Sequence, residues 1–405
     1  MKVYVVSLGC PKNLTDTEVL MGKLVASGYE IINHPARAEI IIINTCAFLR
    51  SARDEAKAVI KEMVTWKKQG KCRELYIAGC YPRWAKALKS KALLRNIDGI
   101  IESIGLFDYC TPRLKATPSW TAYVKIAEGC NNCCSYCLIP KIRGKLHTRK
   151  PDDVLKEVEI LAGKGVKEII FIAQDTTAYP HLSKLLKQTA RISGLRWIRL
   201  MYAHPAHLKD EVIEAIASEK KIVKYLDLPI QHVCDRILRQ INRRYQRKDL
   251  EDLIQKLRAR IPGLALRTSV IVGLPGEGEK EFSELLEFVK REKFDHLGAF
   301  KYEREKRTVA AKMKGQVKEK DKEERFNRLM RVQSRISKEL NQRMSGNIIE
   351  VLVEGKNYGR SYRDAPEIDG KVIVKSPRPL NPGGIIGVKI IGARTYDLIG
   401  VPVPS

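Results

Sequence analysis

Three cysteines, Cys130, Cys134 and Cys137, constrain this chain more than any other feature. They lie in Glu128-Gly-Cys-Asn-Asn-Cys-Cys-Ser-Tyr-Cys137. Three thiolates in a C-x3-C-x2-C loop can hold three irons of a cubane [4Fe–4S] cluster, which normally takes four cysteines. A missing fourth protein ligand leaves one iron open to a substrate or cofactor, the logic that separates catalytic from structural zinc sites. Structural zinc is the alternative. Its fourth local ligand would be Cys133, which is adjacent to Cys134 and badly placed for a relaxed tetrahedral site.

The first third reads as strand–helix repeats. Val3–Ser7 is a short β-branched run, and Thr15 or Asp16 is placed to cap a helix reaching Ser27–Gly28. Ile40–Ile43 and Leu75–Ala78 are further strands, with a helix over roughly Ala52–Lys68 between them. Continuous apolar strands alternating with amphipathic helices predict a parallel sheet covered on both faces. Cys10, Cys46 and Cys80 each fall just beyond the carboxyl end of one of these strands, 36 and 34 residues apart, which is one βαβ repeat. All carboxyl ends of a parallel sheet open on one edge, where ligands bind. The topology therefore gathers a second three-thiolate site on one rim, unless these cysteines are simply buried small hydrophobes. Cys72, Cys110, Cys133 and Cys234 fit neither triad and are read as packing residues.

A second α/β series starts near Thr121. Its expected strands are Tyr123–Ile126, Glu168–Ala173, Trp197–Met201, Tyr225–Leu228, Ala265–Val272 and Leu297–Phe300. Helical patterns at Pro151–Lys164, Lys209–Ser218, Leu250–Arg260 and Glu279–Glu292 separate them. Six such units predict a partial (β/α)6 barrel with its active groups at the strand carboxyl ends. A charged helix over about Lys320–Met344 follows. Short β-runs then appear at Ile349–Val353, Lys371–Val374, Gly387–Ile391 and Asp397–Val401. These predict a small all-β barrel of roughly sixty residues. The expected domains are 1–115, 116–340 and 341–405.

Composition narrows the partners. The 405 residues are 44% hydrophobic and 30% charged, ordinary for a globular chain, and no apolar run is long enough to span a bilayer. Val3–Ser7 is too short for a signal-peptide core and lacks a small-residue cleavage site. Ten clustered cysteines suit metal ligation in a reducing cytoplasm better than a disulfide framework. The net charge of +27 points to a polyanionic partner, most simply RNA or a ribonucleoprotein. Lys301–Arg343 concentrates that charge, with 15 Lys/Arg against 7 Asp/Glu, although a solvated helical face reads the same way.

With Tyr136 just before its last cysteine, the Cys130–Cys137 loop looks like the signature of the radical S-adenosylmethionine (SAM) enzymes. Two three-cysteine sites, a half-barrel and a terminal β-module together resemble the radical SAM methylthiotransferases over nearly the whole chain. Ser7-Leu-Gly-Cys-Pro-Lys-Asn13, Asn44-Thr-Cys46 and Ala78-Gly-Cys80 look like that family's N-terminal cluster domain. The final module is similar to a TRAM domain, a barrel often used to hold RNA. Ala173-Gln-Asp-Thr-Thr177, Gln231-His232 and Gly359-Arg-Ser-Tyr-Arg-Asp-Ala-Pro-Glu-Ile-Asp-Gly370 look like the RimO-type branch. One departure is Glu303-Arg-Glu-Lys-Arg-Thr-Val309, where relatives commonly carry a Gly- and Pro-containing turn.

The resemblance implies a cytoplasmic transferase with two [4Fe–4S] clusters, one on Cys130, Cys134 and Cys137 and an auxiliary one on Cys10, Cys46 and Cys80. It implies SAM as both radical source and methyl donor, because breaking an unactivated C–H bond is work for a cofactor. The implied product is a methylthio group on the β-carbon of an aspartate of small-subunit ribosomal protein twelve. That protein would be met free or within the ribosomal subunit, where ribosomal RNA contact would offset the repulsion between two basic proteins. An electron donor and a sulfur source are further implied partners. Tyr136, Gln174, Asp175 and Gly273 are the expected SAM contacts, and His204, His207 and His232 are expected to be structural. Arg360, Tyr362, Arg363 and Asp364 are candidates for substrate recognition. Two other functions remain open, a tRNA (adenosine) methylthiotransferase and a non-catalytic iron–sulfur or RNA-binding protein.

Overall fold

The computed structural model describes residues 1–87, 96–102 and 104–403. They form two compact units. One comprises Met1–Asn132, Cys137–Lys164 and Phe171–Gln174, and the other comprises Cys133–Tyr136, Gly165–Ile170 and Asp175–Ser405.

In the first unit β1 (Lys2–Ser7), α1 (Pro11–Ala26), β2 (Glu30–Ile32), β3 (Ile40–Thr45), α2 (Arg50–Gln69), β4 (Glu74–Gly79), α3 (Cys80–Ala87) and β5 (Gly99–Ile100) succeed one another. The strands make a sheet of order β2-β1-β3-β4-β5, parallel throughout. Its two-sided burial explains the four consecutive isoleucines that open β3. Ile41 and Ile43 pack with Leu75 and Ile77 against Ala56, Ile60 and Met63 of α2, while Ile40 and Ile42 pack with Val3 against Leu20 of α1. Each such isoleucine contributes about 1.5–3 kcal/mol relative to exposure. The unit continues with β6 (Thr121–Lys125), β7 (Ala127–Glu128), α4 (Ile139–Arg143), β8 (His147–Thr148) and α5 (Pro151–Gly163). The backbone N–H of Ile126, just beyond β6, donates to Ile172 O at 3.1 Å.

Helix α1 corrects the expected cap. It starts at Pro11, not after Thr15 or Asp16, with Cys10 as its N-cap residue. Proline at the first helical position loses no hydrogen bond and arrives with a helical φ. Thr15 and Asp16 then lie inside the helix, where Thr15 Oγ1 donates back to Pro11 O at 2.9 Å.

The second unit carries β9 (Glu168–Ile172), whose last two residues belong to the first, then α6 (Leu182–Ala190), β10 (Trp197–Leu200), α7 (Asp210–Ser218) and β11 (Ile222–Asp227). Next come α8 (Asp235–Gln240), α9 (Arg247–Arg260), β12 (Ala265–Val272), α10 (Glu279–Glu292), β13 (His296–Lys301) and α11 (Glu319–Gln342). In this unit the sheet order is β13-β12-β11-β10-β9, purely sequential and open, as a partial (β/α)6 barrel requires. The chain ends in β14 (Ile348–Gly355), β15 (Tyr358–Ser361), β16 (Val372–Val374), β17 (Ile385–Ala393) and β18 (Leu398–Pro402). These close into a barrel of order β14-β15-β16-β18-β17 around Val351, Val372, Val374, Val388 and Ile390.

Candidate functional site

Register alone gathers the first cysteine triad. Ser7 pairs with Asn44 across β1 and β3, and Asn44 pairs with Ala78 across β3 and β4, so the three strands finish within one residue of one row. Cys10, Cys46 and Cys80 follow that row by three, two and two residues. Gly9, at φ +93°, lets its loop pass so close that a Cβ there would lie 2.6 Å from Cys46 Cβ and 2.9 Å from its Sγ. The thiols feel one another. Burial pushes Cys80 up to about 11; Arg143 opposes that rise, whereas Cys10 and Cys46 add to it. Burial likewise raises Cys46, against the backbone N–H of Phe48.

The second triad sits in the loop after β7. Gly129, at φ +80°, turns the chain where a Cβ would meet Lys145 O at 2.0 Å, and Cys130 N–H then reaches Gly144 O at 3.1 Å. Backbone N–H groups already face two of the sulfurs. Asn132 N lies 3.4 Å from Cys130 Sγ and Ile139 N lies 3.4 Å from Cys137 Sγ. Such donors stabilise thiolates on iron. The middle of the loop is held in its own unit. Ser135 N–H donates to Ile241 O at 3.0 Å, Ala310 N–H to Ser135 O at 2.9 Å and Asn242 Nδ2 to Cys133 O at 2.9 Å.

The donor geometry bears on zinc. Thiolates on one tetrahedral zinc lie about 3.8 Å apart, given a Zn–S distance of about 2.3 Å. Among the described residues only Asp175, His204 and His207 bring three donor atoms within 4.8 Å of one another, and no cysteine trio does. Thiolates on three separate irons of a cubane stand wider than that, and three cysteines without a fourth are the donor set that a cubane with one open iron would take. The Asp175 trio is already satisfied internally. Asp175 Oδ1 accepts from Thr177 Oγ1 at 2.8 Å and from Ala178 N at 3.1 Å, and its Oδ2 meets His207 Nδ1 at 2.7 Å. His204 Nδ1 accepts from Ala206 N at 3.2 Å.

The other expected contacts differ in availability. Gln174, at the carboxyl end of β9, has a buried Oε1 with no hydrogen-bond partner. Tyr136 is half-buried. Gly273, at φ +74°, faces the stem of Lys322, with a hypothetical Cβ 2.2 Å from Lys322 Cγ. Its close approach therefore serves helix α11. Of the expected recognition residues, Arg360, Arg363 and Asp364 are buried and committed to internal bonds. Tyr362 donates through its hydroxyl to Gly263 O at 3.2 Å. A charged run beside Gly and Pro reads as surface, but these charges pair with partners far away in sequence. Cys72 and Cys234 are buried as expected, whereas Cys110 and Cys133 are exposed, in a turn and in the cluster loop.

Sequence reasoning missed a buried quartet in the first unit. Arg143 Nη1 donates to Asp16 Oδ2 and Glu128 Oε1, both at 2.8 Å, while Lys125 Nζ pairs with Asp16 and lies 3.0 Å from Glu128 Oε2. Burial alone would raise Glu128, but Lys125 and Arg143 outweigh it and hold its carboxyl low. The available signal was position, since Glu128 and Arg143 flank the cysteine loop at two residues before Cys130 and six after Cys137.

Comparison with known proteins agrees with this construction. The radical SAM superfamily matches residues 124–289, uncharacterized protein family UPF0004 matches 2–101 and the TRAM domain matches 346–403. Two solved radical SAM enzymes share the fold. TsrM from Kitasatospora setae aligns at a TM-score of 0.53 with 14% identity over 74% of each chain, and OxsB at 0.51 with 11% identity over 83% of this chain and 56% of its own. The fold and its cysteine loop thus define a radical SAM protein, a class built on a [4Fe–4S] cluster and SAM. The ribosomal protein uS12 methylthiotransferase RimO of Pelotomaculum thermopropionicum is 44% identical over 100% of this chain and 99% of that protein. RimO of Geobacter sulfurreducens is 42% identical over 98% of each. The chain belongs to the RimO methylthiotransferase family. Among the described residues no helix is long and apolar enough to cross a membrane.

Proposed function

We propose that this protein methylthiolates the β-carbon of an aspartate in ribosomal protein uS12. The observation that carries the reading is a pair of three-cysteine sites, each on its own strand-end loops, in a chain similar to RimO proteins from end to end. Cys130, Cys134 and Cys137 would hold the SAM-binding cluster, and Cys10, Cys46 and Cys80 the auxiliary one. Bound there, the clusters and SAM supply a carbon-centred radical able to take hydrogen from an unactivated C–H bond, together with a sulfur that receives a methyl group.

The chain's own residues then have defined tasks. The N–H groups of Asn132 and Ile139 stabilise the thiolates they face. Gln174 Oε1, buried and without an internal partner, would accept from a polar group of SAM. Asp175, pinned by Thr177, Ala178 and His207, fixes the turn that presents Gln174. In this reading residues 1–115 carry the auxiliary cluster, 116–340 the radical chemistry and 341–405 the TRAM barrel. The reaction belongs to the cytoplasm, needs a low-potential electron donor and a sulfur source, and is favoured by ribosomal RNA beside the substrate, given a net charge of +27.

The test is an anaerobic assay with reconstituted enzyme, SAM, reductant and sulfide, offered uS12 and bulk tRNA separately and read by mass spectrometry. A methylthio mass gain on an aspartate of uS12 alone is expected. Gain on tRNA adenosine alone would overturn the substrate, and absence of SAM cleavage would overturn the radical chemistry.

A further inference from the structure

We propose that Arg143 is a positioning residue for the auxiliary cluster. It donates a charge-assisted hydrogen bond to the Cys80 thiolate, and so raises that cluster's reduction potential and ties the two cysteine loops together. The proposal rests on the reading that Cys10, Cys46 and Cys80 hold a cluster.

The guanidinium is buried, and its donors are divided among four partners. Nη1 reaches Asp16 and Glu128, Nη2 reaches Asn13 Oδ1 at 3.1 Å, and Nε points at Cys80 Sγ at 3.2 Å. Charge neutrality alone does not account for this last contact. Arg143 and Lys125 already balance Asp16 and Glu128; those pairs occupy Nη1, and the Nε–H is the donor directed at sulfur. Only a planar fork can serve two carboxylates, an amide and a thiolate at once, which a lysine ammonium on its flexible stem cannot.

The chemistry follows from where the donor sits. A hydrogen bond to a ligating sulfur draws electron density from the iron and favours the reduced cluster. Arg143 is also the last residue of α4, the helix that begins two residues after Cys137, and its partner Glu128 lies two residues before Cys130. One side chain therefore spans from the loop that carries Cys130 and Cys137 to Cys80.

The test uses full-length protein in which Cys130, Cys134 and Cys137 are all replaced by alanine, so that only the auxiliary cluster can load. Iron content, an EPR-monitored redox titration and pulsed EPR on the reduced cluster are measured, with and without [guanidino-15N]arginine labelling. The expected results are retained iron, a 15N coupling to the cluster, and in R143K a midpoint shifted to more negative potential with that coupling lost. An unchanged midpoint in iron-replete R143K overturns the proposal. So does absence of the 15N coupling in the chain that keeps Arg143, a measurement that does not depend on R143K folding. A chain without iron overturns the cluster assignment itself and the proposal with it.

Discussion

Arg360 of the C-terminal barrel closes on Glu168, the first residue of β9, with Nη2 donating to Oε2 at 2.6 Å. Arg199 Nε takes the other oxygen at 2.9 Å, and none of the three side chains is more than marginally exposed. Around them the Gly359–Gly370 stretch makes further bonds to the sheet. Arg363 pairs with Asp295 at 2.6 Å, Tyr225 Oη donates to Asp369 Oδ2 at 2.7 Å and Arg199 donates to Tyr362 O at 2.8 Å. Glu168 and Asp295 lie at the amino ends of β9 and β13, whereas Gln174 and Asp175 follow the carboxyl end of β9. This stretch therefore docks the small barrel on the sheet.

Removing one partner of a buried ion pair strands the other, at about 3–5 kcal/mol. Arg360→Ala should lower stability by that order, and Glu168→Ala by more, because it strands two guanidinium groups. Urea unfolding midpoints measure both. Midpoints that match the unsubstituted chain would show that the barrel is held by something else.

Acid should act in two windows. Burial would raise Glu168, but Arg360 and Arg199 prevail and hold it near 2, against an ordinary 4.5. A carboxyl depressed in the fold contributes stability above its unfolded value and loses it as pH falls from about 4.5 towards 2. His204 is lowered to about 3 from 6.5, by burial first and then by Arg243. Below about 6.5 the unfolded chain takes up a proton there that the fold refuses, so stability falls from that point down to about 3. Melting temperature against pH should fall through both windows. Glu168→Gln should flatten the lower one and His204→Gln the upper one.

Gly9 should be irreplaceable for the auxiliary site alone. Alanine there combines an unfavourable φ of +93° with a Cβ pressed to 2.6 Å against Cys46 Cβ. The strain displaces Cys46 from the row that Ser7, Asn44 and Ala78 establish. Gly9→Ala should therefore lose about half the reconstituted iron, on the stoichiometry of two equal clusters, and still cleave SAM. Full iron content with intact methylthio transfer would contradict the packing argument.

What the sequence revealed depended on how local the information was. Strand β12 and helix α10 follow the sequence reading residue for residue, because a mostly apolar and β-branched run ended by Gly-Leu-Pro-Gly and an amphipathic helix opened by acids are local patterns. Cys10, Cys46 and Cys80 were legible through the period of the βαβ repeat. Strand β15 was not, since Tyr-Gly-Arg-Ser has no apolar alternation and owes its pairing to β14 and β16. The Arg143–Asp16 pair was illegible for the same reason, because the two residues lie 127 apart in sequence and nothing local joins them. The burial of Arg360 was not legible either, because its carboxylate, on Glu168, is 192 residues distant.

Gln174 gives the most direct test of the SAM site, because its side-chain oxygen is buried yet unbonded. An amide oxygen in that state carries a desolvation penalty that folding alone does not return. A ligand donor arriving at the end of β9 would return it. Gln174→Leu removes the acceptor at similar volume and strands no internal partner of that oxygen, so the thermal midpoint should hold or rise. SAM affinity should fall by about tenfold, the equivalent of one hydrogen bond of about 1.4 kcal/mol. Equilibrium dialysis with labelled SAM on the reconstituted chain measures the loss, and circular dichroism measures the midpoint. Unchanged SAM affinity in a folded variant would remove Gln174 from the site. A lowered midpoint would instead mean that the oxygen has a structural partner.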